Sequence, residues 1–145
     1  MKSNEAHKTA ITRTKLSAPA RFLEDEGLLV GRCLDFGCGH GVDAAMLGIS
    51  KWDPHFHPNQ SVLHQPNSFT LYDTIMCNYV LNVVSEREGA GIINAIEWYL
   101  KPGGTAYFTV RRDMDSADLS RQRLVKLNLP VVTENAGFCI YETWK

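Results

Sequence analysis

No apolar run in this chain approaches the roughly 18 residues of a membrane-spanning helix, so an integral membrane protein built on helices is not expected. The four cysteines include no C-x-x-C pair. Cys33, Cys77 and Cys139 lie in apolar, strand-like stretches, and with Cys38 they read as the reduced thiols of a cytoplasmic protein. The polar opening Met1-Lys2-Ser3-Asn4-Glu5 leads into no apolar signal core. Charge of either sign is not in excess: 15 Lys and Arg against 16 Asp and Glu leave −1. That excludes a global basic field drawing the molecule onto nucleic acid, though not a local basic patch. Internal repeats and low-complexity tracts are absent. His55, His57 and His64 stand near Asp53 but match no zinc-ligand spacing, and Pro54, Pro58 and Pro66 mark the stretch as an irregular loop, so no metal is expected.

What remains is the composition of an ordinary globular protein, 145 residues with 44% hydrophobic and 21% charged. That length suits one domain with a real core. An N-terminal segment over 1–29 is expected to precede an α/β core over 30–145. Ser17 caps a short helix with Pro19 in its first turn, running to about Glu26 and stopped by Gly27. Phe22 and Leu23 should face inward. Such a helix could lie over a ligand site as a lid or simply cover a sheet face.

Strands are expected at 32–36, 49–52, 72–78 and 105–110. The first two flank a short helix over 42–47, ended by Gly48. Ser85-Glu86-Arg87-Glu88 reads as a capping box opening a helix on which Ile92, Ile93, Ile96 and Leu100 recur at helical spacing. Lys101-Pro102-Gly103-Gly104 ends it in a turn. A weaker helix is expected from Ser116 to about Leu127, and strands at 130–133 and 138–144 flank a hairpin turn at 134–137. Pro54 to Leu71 spans only 18 residues, too few for a helix, a strand and a second helix. At most a short edge strand at 61–64 fits. Alternation of strands and helices predicts a doubly wound, mainly parallel sheet of six or seven strands with the last antiparallel and the third-strand region compressed.

The stretch from Cys33 to Asp43 organises the rest. It reads as buried strand, glycine turn and helix start. Gly37, Gly39 and Gly41 clear the turn of side chains, so backbone N–H groups can approach a ligand beside a helix N-terminus. The dinucleotide fingerprint wants its third glycine three positions after the second, where this chain has Val42, which disfavours a nicotinamide cofactor. Asp53 closes the second strand, where a carboxylate can accept both hydroxyls of a ribose. The plain alternative is an Asp capping a turn before Pro54.

Asp35-x-Gly37-x-Gly39-x-Gly41, Asp53, Tyr72-Asp73 and Leu100-Lys101-Pro102-Gly103-Gly104 together resemble the Rossmann-like class I S-adenosylmethionine-dependent methyltransferases. The resemblance runs over roughly residues 30–145. A narrower one, carried by the stretches at 13–21, 26–29, Trp52-Asp53-Pro54 and 78–84, is to methyltransferases associated with DNA phosphorothioation systems. The broader resemblance implies an S-adenosylmethionine cofactor with its methionine end at Asp35, Gly37, Gly39 and Gly41, and with Cys38 among the cofactor-binding residues. It further implies ribose at Asp53, adenine against Pro54, and the sulfonium near the backbone of Cys77, Asn78 and Tyr79. Asn78-Tyr79-Val80-Leu81 lacks the Pro-Pro of the D/N-P-P-Y/F motif, which disfavours methylation of an exocyclic base amine.

No residue declares itself a general base. The expected activity is methyl transfer to an unidentified small-molecule or macromolecular acceptor, and the alternative is a non-catalytic S-adenosylmethionine-binding partner of another protein. Arg111 and Arg112 follow the strand at 105–110 at the same sheet edge, where a guanidinium fork could hold a carboxylate or phosphate of the acceptor. Otherwise they pair with Asp113, Asp115 or Asp118.

Overall fold

Apolar side chains on both parities of the central strands require a sheet covered on both faces. The computed structural model describes residues 14–59, 62 and 71–145. Strands β1 (Cys33–Phe36), β2 (Ser50–Trp52), β3 (Tyr72–Asn78), β4 (Leu100–Arg111), β5 (Val131–Glu134) and β6 (Phe138–Trp144) form one six-stranded sheet in the order β2-β1-β3-β4-β6-β5. β1 runs parallel to β2 and β3, and β3 parallel to β4. β6 is antiparallel to both β4 and β5, with Phe108 opposite Tyr141. Residues 138–144 thus lie antiparallel beside the strand at 105–110, in keeping with the expected antiparallel last strand.

Helix α1 (Ala18–Asp25) packs Ala20 and Leu23 against Met76, Tyr107, Phe138 and Ile140. The opposite parity, with Ile75, Cys77, Phe108, Val110 and Tyr141, packs beneath Ile96 of helix α3 (Glu86–Tyr99). Of the two roles open to the first helix, covering a sheet face is the one observed. Its cap is as expected: Ser17 Oγ accepts from Ala20 N–H, and Pro19 lies in the first turn. At α3, Ser85 Oγ accepts from Glu88 N–H at 3.2 Å, while the Glu88 carboxylate accepts from the Ser85 hydroxyl. Among the described residues no helix is long and apolar enough to cross a membrane.

Two expectations need correction. The strand placed at 105–110 begins at Leu100, because Lys101-Pro102-Gly103-Gly104 forms a bulge between the pairs Tyr72–Leu100 and Thr74–Thr105. The bulge is held by Gly103 N–H on Lys145 O and Lys145 N–H on Gly104 O. The helix expected over 116–127 is a single turn, α4 (Ser116–Leu119), capped by Asp115. Beyond it Arg123 N–H donates to Asn82 O, and the Arg123 side chain donates to Val84 O and Ser85 O. These bonds extend the chain, and Val125, Leu127 and Leu129 then reach the core at a period of two. Between β2 and β3, where a short or absent third strand was expected, no strand lies among the described residues. The segment at 61–64 falls outside them except for Val62, whose carbonyl accepts from the Tyr72 hydroxyl at 2.8 Å.

Asn82 is fully buried and ties this irregular stretch to the sheet. Its Oδ1 accepts from Arg111 N–H at 2.7 Å, and its Nδ2 donates to Arg111 O and Arg123 O. Asn82→Ala orphans a buried N–H and two carbonyls, so denaturant unfolding should show a loss of about 2–4 kcal/mol. An unchanged midpoint would remove Asn82 from this role.

Candidate functional site

A parallel sheet offers a ligand crevice where successive connections leave β1 in opposite directions. Here β2 lies on one side of β1 and β3 on the other, so the crevice opens over the C-terminal ends of β1, β2 and β3. The glycine turn fills it. Gly37, Gly39 and Gly41 have φ of +74°, +59° and +83°, conformations that side-chain-bearing residues rarely adopt. Gly41 then caps helix α2 (Val42–Leu47), which ends at Gly48.

The turn is locked from two sides. Gly37 N–H and Cys38 N–H both donate to Trp52 O, at 2.7 and 3.1 Å, joining the turn to the end of β2. From the β3 side, Val80 lies so close that a Cβ on Gly37 would sit 2.4 Å from its Cγ2. Tyr79 is the one non-glycine residue with positive φ (+63°) among the described residues, and its N–H donates to Thr109 O. Thr109 also donates its hydroxyl to Asn78 Oδ1 at 2.8 Å. A tyrosine held in the left-handed region costs about 1–2 kcal/mol and marks a place where the surroundings dictate the backbone.

Asp35, Gly37, Cys38, Gly39, Gly41, Asp53, Pro54, Asn78 and Tyr79 therefore converge on one edge. Asp53 is 9% exposed. Its Oδ1 accepts from Gly39 N–H, and its Oδ2 accepts from His55 N–H and Phe56 N–H, all at 3.0 Å. It thus performs the turn-capping role while standing where a ribose-binding acid would stand. Pro54 is exposed beside it. His57 Nε2 meets His40 O at 3.1 Å, and the His40 and Phe56 rings meet at a tilt of 44° with centroids 4.2 Å apart, so the 53–57 turn closes against the glycine turn. Asp53→Ala would leave three N–H groups to solvent and should cost about 1–3 kcal/mol of stability in thermal unfolding. A variant as stable as the wild type would show that the turn does not depend on it.

Asp35 differs from its neighbours. It is 3% exposed, and its carboxyl group makes no hydrogen bond among the described residues. Burial, followed by the charges of Asp43 and Asp53, pushes its pKa up to about 8. Asp43 is committed elsewhere, accepting from Ser17 N–H at 2.8 Å and the Ser17 hydroxyl at 2.6 Å, which ties α1 to the start of α2. Burial also raises the Cys38 thiol, to about 12, and the Cys77 thiol further, so neither is a thiolate nucleophile at neutral pH. A carboxylate buried among other acids is a seat for a cation, and the glycine turn beside it admits a ligand at backbone distance. A sulfonium with an α-ammonium group fits that seat.

Arg111 and Arg112 lie further along the same edge. Arg111 pairs with Asp113 at 2.8 Å and Asp118 at 3.0 Å, and Arg112 with Glu134 at 2.8 Å. The pairing alternative thus holds for Arg111 with two of its three expected partners, while Arg112 finds another. Sequence reasoning missed Val80, Thr109 and Asp43. Only the β-branched Val80 immediately after Asn78-Tyr79 carried a local signal, as a side chain with stiff rotamers at a turn.

Residues 7–142 match the methyltransferase domain family, and the chain belongs to it. S-adenosylmethionine is accordingly its cofactor. Comparison with curated proteins finds no match. Among solved structures, the S-adenosylmethionine-dependent methyltransferase SibL is similar at 11% identity and a TM-score of 0.59, over 87% of this chain and 53% of that one. Magnesium protoporphyrin IX methyltransferase from Synechocystis, with S-adenosylhomocysteine bound, is 15% identical with a TM-score of 0.52, over 86% and 79%. An O-methyltransferase family protein from Burkholderia thailandensis is 16% identical with a TM-score of 0.51, over 86% and 56%. The chain spans about half the length of the first and third of these. At such identities the likeness is one of fold.

Proposed function

We propose that this chain transfers a methyl group from S-adenosylmethionine to an acceptor presented before Asn78 and Tyr79. In this reading the methionine end lies over Asp35, Gly37, Cys38, Gly39 and Gly41, the ribose at Asp53, and the adenine against Pro54. The observation that carries it is Asp35, a buried carboxylate without a hydrogen bond, beside three glycines in left-handed conformation. Bound S-adenosylmethionine supplies an electrophilic methyl carbon on a sulfonium. The protein orients that group and keeps water from it, with the Tyr79 backbone held rigidly by Thr109. Asp53 accepts three N–H bonds on two oxygens. A carboxylate offers about four acceptor sites, which leaves room for one ribose hydroxyl rather than both.

The single domain over 1–145 belongs to this proposal, as does the neighbourhood of DNA phosphorothioation systems, which rests on the sequence stretches alone and names no acceptor. A non-catalytic cofactor-binding partner is the second reading, favoured by thiols at Cys38 and Cys77 that burial keeps protonated. Calorimetry with S-adenosylmethionine and S-adenosylhomocysteine should give binding of both, and binding of neither would overturn both readings. Turnover to S-adenosylhomocysteine with a partner or extract then separates the enzyme from the silent subunit.

A further inference from the structure

The turn that follows β2 is closed on itself. Asp53 N–H donates to His57 O at 3.0 Å and His57 N–H donates to Asp53 O at 3.1 Å, an antiparallel bridge that fixes both ends. The bridge brings the half-buried His57 side chain back over the glycine turn. Its Nε2 lies 3.1 Å from His40 O, the carbonyl between Gly39 and Gly41. A carbonyl oxygen only accepts, so Nε2 carries the hydrogen. The same ring covers Gly41. A Cβ there would stand 3.1 Å from His57 Nε2 and 3.2 Å from Lys51 Cδ. The two bridged residues thus grip neighbouring backbone groups of the glycine turn: Asp53 accepts from Gly39 N–H, and His57 donates to His40 O.

We propose that His57 is a positioning residue for S-adenosylmethionine. It never touches the cofactor. Its Nε2–H, acting through the His40 carbonyl, fixes the second half of the glycine turn, from Gly39 to Gly41. This role rests on the glycine turn being the cofactor cradle, as proposed above. Its physical basis is the freedom of glycine. A turn with glycine at every second position has many conformations open to it, and ordering them on binding costs affinity. A donor held by a rigid neighbouring turn meets that cost before the ligand arrives. The bond also joins the turn that would hold the methionine end to the turn that would hold the ribose.

Three substitutions separate the donor from the ring. Gln places its amide nitrogen where histidine has Nε2, Asn places its own where histidine has Nδ1, and Leu has no donor. All three lose the ring over Gly41, so packing is a common loss. S-adenosylmethionine and S-adenosylhomocysteine are titrated into the full chain by calorimetry, below the melting temperature of each variant. His57→Gln should bind both within roughly twofold of wild type, and His57→Asn and His57→Leu roughly fivefold more weakly or worse. In the wild type, nitrogen-15 spectra of the neutral His57 ring should show hydrogen on Nε2 and none on Nδ1, a measurement that needs no variant. Equal affinities of the Gln and Asn variants, wild-type affinity in His57→Leu, or a neutral ring protonated on Nδ1 would each overturn this role alone. A wild type that binds neither cofactor form overturns the cradle reading and this role with it, so the two failures are told apart.

Discussion

Gly37→Ala should destabilise the protein by about 2–5 kcal/mol and weaken S-adenosylmethionine binding at least tenfold. Two costs add. The φ of +74° is unfavourable for alanine by about 1–2 kcal/mol. The new Cβ would lie 2.4 Å from Val80 Cγ2, so β1 and β3 must part or Val80 must leave its rotamer, an overpacking cost of about 1–3 kcal/mol. Gly48 separates the two. It has a similar φ of +66° and open space, with nothing within 4 Å of where a Cβ would stand, so Gly48→Ala should cost only the conformational part. Pairing Gly37→Ala with Val80→Ala in a double-mutant cycle should recover the steric part as a coupling energy. Equal losses at Gly37 and Gly48, with no coupling to Val80, would show that the turn is not packed as described.

Cofactor binding at pH 7 should release close to one proton, and Asp35→Asn should abolish that release. With its pKa pushed up to about 8, Asp35 is mostly protonated at pH 7. A sulfonium and an ammonium favour the carboxylate, so the proton leaves as the cation arrives. Calorimetry in buffers of different ionisation enthalpy counts it. The same shift has a consequence for stability. The folded protein holds a proton on Asp35 that the unfolded chain gives up near the ordinary carboxylate value, so the folded state binds more protons between about pH 4 and 8. This contribution is fully present below that window and is lost as pH rises through it, at up to about 1.4 kcal/mol per pH unit. Asp35→Asn should flatten this part of the profile and leave the protein more stable than wild type at pH 8. A wild-type profile that rises with pH across the window, unaltered by the substitution, would refute the assignment.

The elements that were legible in the sequence carry their own local chemistry. Helix α2 is bounded by Gly41 and Gly48, both in left-handed conformation, and strand β3 runs as expected from Tyr72 to Asn78. The hairpin turn is closed by Asn135, whose Oδ1 accepts from Gly137 N–H and Phe138 N–H. The stretch after Ser116 was not legible as what it is. Its propensities permit a longer helix, and the bonds that forbid one come from Asn82, Val84 and Ser85, some forty residues earlier in the chain. The edge on which the candidate site residues converge was legible for a similar reason, since glycine spacing and a strand-terminal acid are local marks.

The amino-acid sequence by itself determined the strand and helix alternation, the glycine turn and the edge on which Asp35, Asp53 and Asn78 would stand, because each depends on residues within a few positions of one another. Tertiary structure alone decided what those groups do there. It spends three of the Asp53 acceptor sites on backbone N–H groups, leaves the Asp35 carboxyl group buried without a hydrogen bond among like charges, presses Val80 onto Gly37, and pairs Arg112 with Glu134 rather than with the acids next to it. Burial and the charges of distant neighbours set protonation and pairing, and neither can be read from spacing along a chain.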